Sequence, residues 1–73
     1  SLDDKYILNT YGETVHRIFK RLGDIHRDFH QIAESCLRCE NEYELKLLIT
    51  ELASKSSVLV DTIASLVSSM SQN

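Results

Sequence analysis

Cys39-Glu40-Asn41-Glu42-Tyr43-Glu44-Leu45 is the stretch at which the chain changes phase. Before it, Tyr11, Val15, Ile18, Leu22, Ile25, Phe29, Ile32, Cys36 and Cys39 recur three and four residues apart. After it, Leu45, Ile49, Leu52, Ser56, Leu59, Ile63, Leu66 and Met70 do the same in a shifted frame. Such spacing gathers side chains onto one stripe of an α-helix, so each run reads as a helix and the slip between them as a break. Asn41 and Glu44 have capping-box spacing, with asparagine as the cap, and place a helix start at Glu42. The break is therefore expected as a turn over residues 40–42. One long bent helix is the competing reading, since no proline or glycine enforces the turn. Two runs of nearly equal length joined by a short connection favour an antiparallel helical hairpin.

Working outward, Thr10 with Glu13 repeats the capping-box spacing and places the start of the first long helix at residue 10. The expected organisation is one all-α domain over 1–73. It comprises a short N-terminal segment at 1–9, helices over 10–39 and 43–70, and a tail at 71–73. Ser1 as a cap and Asp3 and Asp4 near a positive helix end would suit a short additional helix in the first segment. A single helix from residue 2 is the alternative, because Leu8 also fits the apolar frame.

On a helical wheel the apolar arc of the first run spans about 140° and that of the second about 160°, wider than a two-stranded seam requires. Ile18, Leu22, Ile25, Phe29 and Ile32 are expected to face Leu52, Leu59, Ile63 and Leu66 across a core seam. The surplus width comes from Phe19, Ala33 and Leu37 on the first helix and from Leu48, Ala53, Val60, Ala64 and Val67 on the second. Gly12 and Gly23 flank Phe19, where a missing side chain either lets another backbone approach or is simply tolerated. Phe19, Gly23, His26, Ala33 and Leu37, with Val60, Ala64 and Val67, form the expected partner-binding face. Ser54, Ser57, Asp61, Ser65, Ser68 and Gln72 read as a solvated opposite side.

Composition narrows the function. With 73 residues, 42% hydrophobic and 26% charged, the chain suits one small globular domain. Domains of this size commonly need a metal, disulfides, near-ideal helix packing or a partner chain. A net charge of −3 provides no global attraction to nucleic acid or to an anionic membrane. No apolar run approaches the roughly 20 residues that span a bilayer, and no signal peptide opens the chain. Two cysteines without an export signal point to an intracellular setting, cytoplasmic or nuclear. The abrupt Ser1 start and serine-rich end suggest a fragment of a longer protein.

Cys36-Leu37-Arg38-Cys39 has C-x-x-C spacing, but it lacks the strand-to-helix setting of a redox site and the second ligand pair of a structural zinc site. It reads as packing. His26 and His30 stand one turn apart and could share a metal, yet the wheel aims His26 into the apolar arc. No metal is expected there; His26 is read as a packed or interface histidine, whose protonation when buried would weaken assembly near pH 6. Arg17, Lys20, Arg27 and Arg38 mingle with Glu13, Asp24 and Glu34 in a mixed, soluble face. There is no nucleophile–base set and no phosphate-cradling loop, so neither catalysis nor a cofactor or small-molecule substrate is expected.

The expectation is a non-catalytic protein–protein interaction or oligomerisation module. It would assemble with itself as a dimer, completing a four-helix bundle, or with partner helices of a larger scaffold, tethering or regulatory complex. The rivals are a basic-faced module binding nucleic acid or acidic membrane through Arg17, Lys20, Arg27 and Arg38, and a metal or redox sensor built on His26, His30, Cys36 and Cys39.

Overall fold

A computed structural model describes residues 2–72; Ser1 and Asn73, hence the proposed Ser1 cap and the last residue of the tail, lie outside the described residues. The chain is all-helical: α1 (Leu2–Tyr11), α2 (Glu13–Arg38) and α3 (Glu42–Ser71). At about 1.5 Å per residue α3 spans about 45 Å, close to the 47 Å length of the molecule.

Asn41 starts α3 as the spacing requires. Its backbone is extended, at φ −117° and ψ 122°, and its side-chain oxygen accepts the Glu44 backbone N–H at 2.9 Å. That bond satisfies one of the donors a helix start leaves without an internal partner. The preceding helix closes without glycine: Cys39 leaves helical geometry, its N–H bonds to the Cys36 carbonyl at 3.3 Å, and its thiol donates to the Asn41 carbonyl at 3.2 Å.

The other expected boundary is displaced. Thr10 lies inside α1, and Gly12 occupies the cap position of α2 with no side-chain cap bond, so Thr10 and Glu13 do not form the expected box. Gly12 sits at φ +91° and ψ −177°, backbone space that L side chains rarely enter. Its N–H bonds the Leu8 carbonyl at 3.0 Å and its carbonyl accepts from His16 at 3.1 Å. One residue thus ends α1 and begins α2, and the reversal lays α1 back along α2, where His16 Nε2 meets Asp4 Oδ1 at 3.0 Å.

Val15, at the start of α2, shares a depression with Ser69 and Gln72 at the end of α3, while Ile18 shares one with Val58, Thr62 and Ser65. The two long helices therefore run in opposite senses along each other. On α2 the inward positions are Val15, Ile18, Leu22, Ile25, Phe29, Ile32 and Cys36, buried or half-buried along the 3-4 frame, and Cys39 at its C-cap is half-buried too.

On α3 the frame differs from the expected one. The buried or half-buried positions are Leu45, Leu48, Leu52, Lys55, Leu59, Thr62, Leu66 and Ser69, with Ser56 and Met70 of the expected frame half-buried beside them. Leu45, Leu52, Leu59 and Leu66 belong to both frames, but Ile63, expected in the seam, is 44% exposed and Ile49 is 51% exposed. Two heptad stripes one residue apart are interleaved on this helix, and α2 packs on the one that contains three polar residues. Thr62 tolerates burial because its hydroxyl donates to the Val58 carbonyl at 2.8 Å. Lys55 can lay its methylene stem along the seam and keep its ammonium in water.

The resulting core is small. Among the described residues Val15 and Leu66 are the buried apolar side chains, joined by Thr62. The molecule is a slab of 47 × 23 × 11 Å with a radius of gyration of 15.4 Å, whereas a compact domain of this length would have about 11 Å. Two stacked helix layers, with axes about 8–10 Å apart, would be thicker than this. The three helices therefore form a single layer.

Candidate functional site

The two broad faces of the slab differ in chemistry. One carries a depression lined by Ile18, Arg21, Val58, Asp61, Thr62 and Ser65, four of the six polar or charged. The other carries an open groove of about 650 Å³ floored by Phe19, Leu22 and Gly23 of α2 and walled by Leu59 and Ile63 of α3. Asp4 of α1 stands at one rim with Lys20, Asp24 and Arg27, and His26 lies within the lining.

Helical periodicity extends this groove into a surface. From Phe19 and His26 the α2 stripe continues through half-buried Ala33 to Leu37, which is 88% exposed. On α3 the stripe beside Ile63 runs through Ile49, Ala53, Val60, Ala64 and Val67, with Val60 60% and Val67 56% exposed. The residues expected to bind a partner, Phe19, Gly23, His26, Ala33, Leu37, Val60, Ala64 and Val67, thus turn toward this one side and its α3 edge. A β-carbon added at Gly23 would meet nothing within 4 Å, so no backbone of this chain rests there; the same holds at Gly12, whose glycine is explained by its φ instead.

His26 departs from expectation. It is exposed rather than sunk in the apolar arc, and its Nε2 lies 2.9 Å from the Nε2 of His30. The rings meet edge to face with centroids 4.4 Å apart. Among the described residues no three His, Cys, Asp or Glu side chains converge as a metal-binding group.

The basic face is partly neutralised, with Arg27 on Asp24 at 3.3 Å and Arg38 on Glu34 at 2.7 Å. These pairs are exposed and contribute little to stability. Cys36 and Cys39 are free thiols, both half-buried at the end of α2. The Asp4–His16 bridge, which ties α1 to α2, had no signal in the sequence: the residues are twelve apart, and only the reversal at Gly12 brings them together. No helix among the described residues is long and apolar enough to cross a membrane. Comparison of the chain with protein-family models, with curated proteins and with solved structures finds no match.

Proposed function

We propose that this chain is a non-catalytic protein–protein interaction and oligomerisation module, an antiparallel helical hairpin braced by α1 that pairs with a second copy through its groove-bearing face. The observation that carries this reading is the choice of stripe on α3. The seam takes Lys55, Thr62 and Ser69 while Ile49, Val60, Ile63 and Val67 remain in water. Exposing a continuous aliphatic stripe while burying polar positions is unfavourable for an isolated chain and becomes favourable when the stripe is covered.

Geometry supports a second copy as the cover. Helical domains bury their apolar faces by stacking layers, and this chain supplies one layer. Its outline of 47 by 23 Å is about 1,100 Å², enough for the roughly 800 Å² that each partner contributes to a standard interface. Two such layers face to face form a helical bundle in which Phe19, Ala33, Leu37, Val60, Ala64 and Val67 become interior. The apolar stripes run the length of both long helices, so one face can match its own symmetry mate.

Sedimentation equilibrium tests this. The expected result is a mass near twice the 8.4 kDa of the chain, and conversion to the single-chain mass by a Val60→Asp, Val67→Asp double substitution that leaves helicity unchanged, because both side chains are exposed in the single chain. A wild-type chain that sediments at 8.4 kDa at concentrations of about 100 μM, weaker than a functional association of this size, overturns the reading.

A further inference from the structure

We propose that His26 and His30 form a two-point binding site for a divalent transition-metal cation of tetragonal preference, of the nickel(II) and copper(II) class. Both ligands belong to one helix, so the site forms in the single chain; because His26 lines the groove that the proposed dimer covers, the site is tested at concentrations where the chain is single. On α2 the residues are one turn apart, and the structure brings their Nε2 atoms to 2.9 Å at an exposed position. Metal–imidazole bonds are about 2.0–2.1 Å, so two nitrogens at this spacing subtend about 90° at a shared ion, whereas a tetrahedral ion would need them about 3.3 Å apart. A right angle is the cis angle of square-planar and octahedral coordination, the geometry of copper(II) and nickel(II) with nitrogen and oxygen ligands.

Little has to move for the ion to enter. Without metal, one ring's Nε2–H donates to the lone pair of the other; binding asks only that the donor ring carry its proton on Nδ1, leaving both Nε2 lone pairs on the ion. His30 is further held by an edge-on contact with Phe29, centroids 5.9 Å apart. The nearby cation Arg27 is paired with Asp24. Glu34, one turn beyond His30, is held by Arg38 at 2.7 Å, and water fills the remaining coordination positions.

Titration calorimetry with nickel(II) on the wild-type chain and four variants tests the site. One ion per chain is expected, with His26→Ala and His30→Ala each weakening binding at least about tenfold, because losing one arm removes the intramolecular second step. His16→Ala and the Cys36→Ser, Cys39→Ser double variant are expected to bind as the wild type does. Circular dichroism checks that the exposed alanine substitutions leave α2 intact. Binding that survives either histidine substitution, that disappears with the cysteines, or that is no tighter in the wild type than in His26→Ala overturns the proposal. A single-chain mass with intact nickel binding would sink the dimer and leave this site standing.

Discussion

The two glycines are predicted to respond to alanine with opposite signs. Gly23 lies inside α2, and a β-carbon there meets nothing within 4 Å, so alanine relieves the entropic cost of glycine in a helix at no steric expense. The gain is about 1 kcal/mol, which for a domain of this size raises the melting temperature by about 4–8 °C. Gly12 has equally open space, yet its φ of +91° with ψ of −177° is nearly inaccessible to alanine, a strain of about 1–3 kcal/mol. The chain can escape that strain by letting α1 swing off α2, which breaks the 3.0 Å Asp4–His16 bridge. The observed loss is therefore capped by the docking free energy of α1. Melts followed by circular dichroism at 222 nm, repeated over a range of chain concentrations, read both effects, and amide hydrogen exchange reports whether faster exchange in the Gly12→Ala chain is confined to residues 2–11. An unchanged Gly12→Ala melt with protected α1 amides would refute the account of the reversal. A Gly23→Ala chain that melts lower at every concentration would refute the account of open space. A gain at low concentration that turns into a loss at high concentration would instead locate a partner's backbone over Gly23.

Alanine at Leu66, 9% exposed, should cost about 2–5 kcal/mol in the thermal melt, while alanine at Ile63 should cost under about 1 kcal/mol at concentrations where the chain is single; equal losses would restore Ile63 to the seam. Asn41→Ala removes the acceptor for the Glu44 N–H and should lower stability by about 1 kcal/mol, with Asn41→Ser retaining most of it. A neutral alanine substitution there would mean that α3 does not depend on its cap.

The helical character of the chain, the position of the central break and the cap at Asn41 could be read from the residues because each rests on local physics: spacing of apolar side chains and one side chain reaching a backbone N–H three residues on. The seam of α2 could be read for the same reason, as its frame contains few competing apolar positions. On α3 leucines, isoleucines and valines fill two adjacent frames, and apolar content alone favours the wrong one; choosing between them needs the position of α2, a tertiary fact. The Thr10 and Glu13 pair matched a motif, but glycine's access to positive φ two residues later outweighed it. The outward stripe of α2 from Phe19 to Leu37 could be anticipated as surplus arc width. The meeting of the His26 and His30 nitrogens depends on rotamers, which spacing allows but does not determine.

A one-layer slab also shapes how stability varies with temperature. The heat-capacity change of unfolding follows the apolar surface newly exposed to water, about 12–15 cal/mol/K per residue for ordinary domains. With 5587 Å² accessible, against about 4,600 Å² for a compact protein of this mass, the single chain exposes less new surface on unfolding than a compact domain does, so its stability curve is shallower. Covering the groove face with a second copy, as proposed, would add apolar burial and with it curvature. On the dimer reading, the single chain would therefore have the flatter stability curve, and the assembled form the more sharply curved one with the steeper melt.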